Sequence, residues 1–228
     1  MTETFVTPSP SELSSGHGGA ARLDLGRLVT LPLVVLLLVI NAVRVGNAAA
    51  GDVGLVEAVG ALLTAVFYAL VAWAYLHRTR AGATSTSWPG HAAAVAASWG
   101  VFVFPVLPHP THGAAVAAAA DVLLLAGLSW SVWSLRQLGR SFSVIAQARA
   151  VVSTGPYRLV RHPLYLGEMV SAAGLALTVV GWPALATWCM LVSLQVYRSV
   201  QEERVLSAHL PDYADYRART HRLIPGVL

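Results

Sequence analysis

AAVAAAADVLLLAGLSWSVWSL, residues 114–135, decides the fold class because it is apolar along its length and carries one charged side chain, Asp121. A helix needs about 20 such residues to cross the hydrocarbon core of a bilayer. The rest of the chain has the same character. Hydrophobic residues make up 56% of its 228 residues and charged residues only 11%, whereas soluble domains carry about 25% charged residues. The sequence therefore predicts a membrane protein.

Five further apolar segments lie along the chain, at residues 28–45, 58–76, 92–107, 164–180 and 184–197. Gly181-Trp182-Pro183 separates the last two, which suits a turn between two full spans or within a tight helical hairpin. Nothing in the pattern indicates strands. We predict an all-α, polytopic transmembrane helix bundle with about six membrane segments, the last two forming a hairpin. Its regions are a disordered cytoplasmic tail (1–27), N-terminal transmembrane helices (28–135) and a core that carries the chemistry (136–228).

The basic residues, all of them arginine, indicate how the segments are oriented. If the N-terminus lies inside and six segments cross, every arginine except Arg44 faces the cytoplasm. Membrane proteins keep Arg and Lys in their cytoplasmic loops. We therefore expect an integral protein of a bacterial inner membrane with both termini in the cytoplasm. The net charge of +4 is explained in the same way, so we expect no nucleic acid as a partner.

Metal and disulfide chemistry find little support in the sequence. Cys189 is the single cysteine, which excludes an internal disulfide framework and a cysteine-based zinc site. His109 and His112 are two possible metal ligands, but they have no third partner, so we expect an ordinary loop and no metal. Asp121 lies inside an apolar segment, where an acid is either functional or hydrogen-bonded to a neighbour such as Asn41.

Two polar blocks flank the predicted hairpin, and a short hairpin brings them to the same membrane surface. The first, residues 136–167, has five arginines and no acid. Such a loop suits lipid headgroups, but Tyr157, His162 and Tyr165 are also groups of the kind that hold a nucleoside. The second block begins at residue 198 and contains Glu202 and Glu203. These carboxylates either decorate a solvated helix end or bind the ribose or the cationic end of a cofactor.

The two blocks together resemble the isoprenylcysteine carboxyl methyltransferase family and its phospholipid methyltransferase relatives. The matching elements are Gly155-Pro156-Tyr157, Arg161-His162-Pro163-Leu164-Tyr165-Leu166-Gly167, Glu202-Glu203-Arg204 and Pro211-Asp212-Tyr213, followed by Tyr216 and a basic tail ending near Pro225. Their order and spacing agree over roughly residues 138–225. The earlier part of the chain resembles the family only as additional membrane helices.

The resemblance implies an S-adenosyl-L-methionine (SAM)-dependent membrane methyltransferase with the cofactor at the cytoplasmic face. The implied cofactor-binding residues are Gln147, Arg149, Ala150, Val151, Val152, Tyr157, His162, Pro163, Leu164, Tyr165 and Glu202, and Glu203 is a second candidate for the cationic end. Arg149 stands where the family enzyme that modifies prenylated proteins has His. Arg198, one turn before Glu202, matches an arginine on the substrate side, so Arg198 and Glu202 are the catalytic candidates.

Methyl transfer is an in-line displacement that needs alignment and a dry site more than a strong acid or base. A carboxylate acceptor is already a nucleophile at pH 7, and neither block offers a compelling buried base. These points favour O-methylation of a carboxylate, which Arg198 could hold. We expect the acceptor to be a small or lipid-like molecule that enters from the bilayer, with membrane lipid as the surrounding partner.

Two other functions fit part of the pattern. A sterol-type membrane reductase has a similar helical plan but binds NADPH, so titration with both cofactors distinguishes it. A non-enzymatic transport or assembly protein would use its arginines only for topology. The chain has no Gly-x-Gly-x-x-Gly run after a strand, which excludes the soluble Rossmann type of methyltransferase.

Overall fold

A computed structural model describes residues 25–51, 54–77, 83–84, 88–108, 113–142, 147–148, 151–179 and 181–226. Within these ranges the α-helices are α1 (Leu25–Ala49), α2 (Leu55–His77), α3 (Trp88–Trp99), α4 (Ala114–Leu138), α5 (Pro163–Leu177), α6 (Trp182–His209) and α7 (Tyr213–Arg219). Short 3-10 turns span Gly100–Val106, Gly139–Ser141 and Gly155–Arg158. Two-residue strands β1 (Ala83–Thr84) and β2 (Gln147–Ala148) pair antiparallel.

The predicted all-α bundle is confirmed, and each of the six apolar segments contains a helix. The third segment divides into α3 and a 3-10 turn that contains Pro105. Helix α6 runs to His209, beyond the apolar segment that ends near residue 197, because a helix continues past the point where lipid contact ends. The β1–β2 pair was not foreseen, since two residues are too few to produce an alternating pattern. Residues 1–24 of the predicted tail lie outside the described residues, and residues 25–27 form the start of α1.

Large apolar side chains on the helices point outward. Leu36, Val43, Leu62 and Val122 each keep more than half of their surface exposed. Stretches Ala58–His77 and Ala114–Leu138 are long and apolar enough to cross a bilayer, and Leu31–Val43 and Pro163–Leu177 are shorter apolar helices. An exposed apolar belt of this kind is stable in lipid and not in water.

Small residues allow α4 and α5 to pack at close range. A side chain at Gly127 would overlap Ser171, and one at Gly167 would overlap Ser131. A Cβ at Gly174 would lie 2.7 Å from the carbonyl oxygen of Ala120. Small residues bring membrane helices together because backbone surfaces can then touch. This contact fixes the position of α5, which carries the Arg-His-Pro motif at its start.

The α5–α6 hairpin and the C-terminal segment bring the two polar blocks together. Gly181 makes the turn with a φ of 78°, so the start of α5 and the end of α6 lie at the same end of the bundle. The backbone N–H groups of Arg161 and His162 donate to the carbonyl oxygens of His221 (2.8 Å) and Arg222 (3.1 Å). The chain end therefore closes over the beginning of α5.

Candidate active site

His162 is placed by the backbone around it. It precedes α5 as the cap residue, and Pro163 occupies the first turn, where a missing N–H costs nothing. Trp130 on α4 donates its indole N–H to the carbonyl oxygen of Pro163 at 2.9 Å, which ties this helix start to the bundle. The His162 ring is buried and stacks on Tyr165, with centroids 5.3 Å apart and planes 8° from parallel.

Glu202 faces this aromatic pair from α6. The Tyr165 hydroxyl donates to its Oε2 atom at 2.7 Å, and His162 Nδ1 lies 3.5 Å from the same oxygen. Glu202 keeps 19% of its side chain exposed, whereas Glu203 keeps 5%. Glu202 is thus oriented by two neighbours while remaining accessible to a ligand.

Three basic side chains contact the Glu203 carboxylate. Arg161 Nε donates to its Oε1 at 2.8 Å, and Arg222 donates to Oε2 through Nη2 at 3.0 Å and to Oε1 through Nε at 3.2 Å. His162 Nε2 lies 3.3 Å from Oε1. Arg161 also donates to the carbonyl oxygens of Arg217 (3.1 Å) and Thr220. Glu203 therefore holds the C-terminal segment against the start of α5.

The charges in this cluster adjust one another. Burial lowers the pKa of His162, but hydrogen bonds to Glu202 and Glu203 outweigh this effect, so its pKa lies above the usual 6.5. Burial raises the pKa of Glu203, but His162, Arg222 and Arg161 together bring it well below the usual 4.5. Glu202 also has a lowered pKa, because the His162 hydrogen bond and the Arg198 charge outweigh burial. At neutral pH both acids are carboxylates.

Arg198 lies one turn before Glu202 on α6 and is buried. Its guanidinium carbon sits 4.5 Å from the centroid of the Tyr165 ring, a cation–π contact. Its Nη1 donates to Ser98 Oγ on α3 at 3.3 Å. Arg198 thus stands behind the Tyr165–Glu202 pair, on the side of the bundle interior.

A cavity of about 90 Å³ joins residues from both polar blocks. Its polar and aromatic lining consists of Ser141, Phe142, Tyr157, Arg161, His162, Tyr165, Glu202, Tyr213 and Tyr216, and its apolar lining of Leu138, Val151, Val152, Leu164 and Leu206. Tyr216 donates its hydroxyl to the Tyr157 carbonyl oxygen at 2.8 Å. The two blocks therefore meet as expected, and Tyr157, His162 and Glu202 share one cavity.

Other predicted site residues lie beside this cavity or outside the described part. Pro163 is buried in the first turn of α5, and neither Glu203 nor Arg198 lines the cavity. Gln147 pairs through its backbone with Thr84, and its side chain lies outside the described residues, as do Arg149, Ala150, His109 and His112. The roles of all these residues in cofactor binding or catalysis stay predictions.

The polar and aromatic groups of this cavity are of the kinds that SAM, the cofactor implied by the sequence resemblance, would need. The Oη atom of Tyr213 is buried and has no hydrogen-bond partner among the described residues. An unpaired buried hydroxyl costs about 1–3 kcal/mol, so a polar ligand atom beside it would be favourable. The Glu202 carboxylate and the stacked rings of His162 and Tyr165 match a molecule with cationic, hydroxyl and aromatic parts. The cavity between described residues would hold only a part of this molecule.

A second cavity, of about 750 Å³, lies among the membrane helices. Phe142 lines both cavities. Glu168, three residues after Tyr165, faces the larger one and accepts a hydrogen bond from the Nε2 atom of Gln195. The sequence showed Glu168 only as an acid one turn beyond the His-Pro motif and could not indicate this cavity, because its lining comes from six helices distant in the chain.

Comparison with known proteins supports a transferase role. Residues 114–212 match the family model described as phospholipid methyltransferase. This result confirms the predicted family for that part of the chain and supports methyltransferase activity at a membrane.

Two curated bacterial relatives are similar over shorter stretches. The nickel-cobalt-cadmium resistance protein NccN of Alcaligenes xylosoxydans xylosoxydans is 38% identical over 80 residues, which cover 33% of this chain and 36% of NccN. The cobalt-zinc-cadmium resistance protein CzcN of Cupriavidus metallidurans is 28% identical over 97 residues, 40% of this chain and 45% of CzcN. The chain thus spans less than half of either relative. Among the described residues, no group of three or more His, Cys, Asp or Glu could hold a metal ion.

Proposed function

We propose, from the membership of residues 114–212 in the phospholipid methyltransferase family, that this chain transfers a methyl group from SAM to a lipid-like acceptor. In this proposal the 90 Å³ cavity receives part of SAM at the predicted cytoplasmic end of the bundle. The acceptor occupies the 750 Å³ cavity among the helices, whose size is typical of pockets for small organic ligands. When bound, SAM supplies an electrophilic methyl group on a positively charged sulfur.

The observation that carries the proposal is the convergence of Tyr157, His162 and Glu202 on one cavity within the matched region. The Glu202 carboxylate binds the ribose hydroxyls or the ammonium group of SAM. His162 and Tyr165 hold the Glu202 carboxylate in place. Val151 and Val152 close the cavity on the side of the predicted cofactor loop. Gln147, Arg149 and Ala150 complete that loop in the proposal.

In this proposal Phe142, which lines both cavities, and Arg198, which contacts a lining residue of each, keep water from the path between them. Arg198 reaches Tyr165 on one side and Ser98, a lining residue of the larger cavity, on the other. A dry site strengthens electrostatic interactions and prevents side reactions. The sequence favours a carboxylate acceptor because neither polar block offers a compelling buried base. Glu168 lies in the wall of the larger cavity, so acceptors that must lose a proton are equally open to this enzyme.

Calorimetric titration of the protein in lipid nanodiscs with SAM and with NADPH tests the proposal. We expect SAM to bind and NADPH not to bind. Glu202→Gln removes the charge that faces the cofactor and should weaken SAM binding at least tenfold, about 1.4 kcal/mol. Asp215→Asn, an exposed acid on α7, is the control and should leave the affinity unchanged. Binding of NADPH without SAM would identify a reductase, and binding of neither cofactor would favour a non-enzymatic membrane protein.

A further inference from the structure

The 750 Å³ cavity contains buried polar atoms that its own walls do not satisfy. Asn41 Oδ1, Ser131 Oγ and Gln195 Oε1 have no hydrogen-bond partner among the described residues, and all three residues line the cavity. Their side chains are 5%, 1% and 2% exposed. Each unsatisfied group of this kind costs about 1–3 kcal/mol. Three of them around one cavity indicate a ligand that supplies what they lack.

The two amide oxygens lack a hydrogen-bond donor, and the Ser131 hydroxyl, which can both donate and accept, has no partner among the described residues. Asn41 gives its Nδ2 to the Leu37 carbonyl oxygen at 2.8 Å, and Gln195 gives its Nε2 to the Glu168 carboxylate. The Leu37 carbonyl oxygen can only accept, and so can the Glu168 carboxylate in its ionised form, so these bonds place the nitrogen of each amide. The atoms left without partners are therefore the two carbonyl oxygens, which can only accept.

Several donors on the cavity wall are already occupied. Ser98, Ser171 and Trp188 donate to backbone carbonyl oxygens on their own or the adjacent helix, at 2.9, 2.9 and 3.0 Å. Thr64 does the same at 2.8 Å. The wall thus presents its acceptors to a ligand while these donors are engaged.

The charges of the wall also favour a ligand that donates hydrogen bonds and carries no negative charge. Asp121 and Glu168 line the cavity, and no Arg, Lys or His does so among the described residues. Arg198 approaches Ser98 from behind the wall and does not line the cavity. A buried phosphate or carboxylate requires a positive or donating partner to offset its desolvation. Such an anion would instead meet two acids and two amide oxygens, with the neutral Ser131 hydroxyl as a donor.

We propose that this cavity binds an apolar, phosphate-free alcohol or amine, and that this molecule is the methyl acceptor. The inference rests on the proposed function and names its substrate class. In the reaction the oxygen or nitrogen of the acceptor forms a bond to the methyl carbon. The bond between sulfur and that carbon breaks, and its electron pair returns to sulfur. The O–H or N–H proton passes to the Glu168 carboxylate.

Binding of four probes that share one apolar body tests the ligand class. 1-Dodecanol, dodecylamine, dodecanoate and dodecyl phosphate are each titrated into the protein in nanodiscs without SAM. The fluorescence of Trp99 and Trp188, which line the cavity, reports binding. We expect the alcohol or the amine to bind at least tenfold more tightly than either anion. Tighter binding of dodecanoate or dodecyl phosphate would overturn the proposal.

A matched pair of serine variants tests the site. Ser131→Ala removes an unpaired oxygen from the wall and should weaken binding of the preferred probe about fivefold. Ser193→Ala is the control, because Ser193 is exposed on α6 and already donates to the Cys189 carbonyl oxygen. Equal affinities of the two variants would overturn the assignment of the cavity.

Glu168→Gln separates proton removal from binding. The variant should lose at least 100-fold in the rate of transfer of an isotopically labelled methyl group, a loss much larger than the change in its affinity for the preferred probe. An unchanged rate would remove the proposed role of Glu168. If the probes bind as expected but SAM does not bind at all, the proposed function fails and the ligand class of the cavity stands.

Discussion

The two cavities differ in how their polar groups are satisfied, although Phe142 lines both. The smaller lies beside a cluster in which the Glu203 carboxylate is matched by Arg161, Arg222 and His162. The larger is surrounded by apolar helices and leaves three buried polar atoms without a partner among the described residues. The chain itself satisfies the charges of the first region and leaves only the Tyr213 hydroxyl there for a ligand, whereas the second region leaves three polar atoms for a molecule that the chain does not contain.

This difference separates stability from function. Where the protein satisfies its own polar groups, a substitution leaves a buried partner without its counter-charge and reduces the free energy of unfolding. Where a buried polar group has no partner in the free protein, replacing it with an apolar group removes a desolvation cost and does not reduce the free energy of unfolding. Stability measurements and binding measurements should thus respond to different residues.

Glu203→Gln should have the largest effect on stability. The amide is nearly isosteric but leaves the mostly buried Arg161 without a negative partner and removes one of the two carboxylates beside the buried His162. Breaking a buried ion pair from one side costs about 3–5 kcal/mol, so we expect a loss near the lower limit, because Arg222 is partly exposed. Unfolding of the variant in detergent micelles measures it.

Asp215→Asn on the exposed face of α7 is the control for that experiment. A loss below about 1 kcal/mol for Glu203→Gln would mean that the cluster resembles a surface ion pair. It would also contradict the role of Glu203 in holding the C-terminal segment against α5, and would favour Glu203 as a ligand of the cofactor.

The pH dependence of stability should come next in size. His162 has a raised pKa in the folded protein, so its contribution is complete below about 6.5 and is lost as the pH rises through the folded value. Glu202 and Glu203 have lowered pKa values, so their contribution is complete above about 4.5 and is lost as the pH falls. We expect stability to be greatest between these limits and to decline on the alkaline side.

His162→Gln isolates this effect from the titration of the other histidines. The variant should lose the decline that starts above pH 6.5 and retain the one on the acidic side. Equal alkaline slopes for the two proteins, measured as the midpoint of thermal unfolding across pH 5–9, would contradict a charged His162 between the two carboxylates.

Much of the smaller region was predictable from the sequence, because its residues come from short motifs at the two ends of one hairpin. The Arg-His-Pro motif and the Glu202-Glu203 pair each mark a point where an apolar helix meets water. A turn at Gly181 is enough to bring them together. The sequence does not show that Glu202 lines the cavity while Glu203 binds the C-terminal segment. This difference depends on Arg222, which the fold of the chain end brings to Glu203.

The larger cavity was beyond sequence analysis for a physical reason. Asn41, Ser131 and Gln195 lie on α1, α4 and α6, and each looks like an ordinary polar residue within an apolar helix. Whether such a residue finds a partner is decided by how the helices rotate and pack. The packing of α4 on α5 depends on the absence of a Cβ at Gly127, Gly167 and Gly174, where one would lie 2.4, 2.3 and 2.7 Å from the opposite helix. Hydropathy patterns do not record such contacts.

Ser131→Ala should have the smallest effect on stability, and this small effect is informative. The Ser131 hydroxyl is buried without a partner, so its removal costs no hydrogen bond in the free protein. We expect the free energy of unfolding to stay within about 0.5 kcal/mol of the unchanged protein or to rise slightly. Ser134→Ala, one turn along α4, is the matched control, because Ser134 is also buried but donates to the Trp130 carbonyl oxygen at 2.8 Å. Equilibrium unfolding of both variants in the same detergent makes the comparison. A loss for Ser131→Ala as large as that for Ser134→Ala would mean that the Ser131 hydroxyl is satisfied within the bundle, and the contrast between the two cavities would no longer hold.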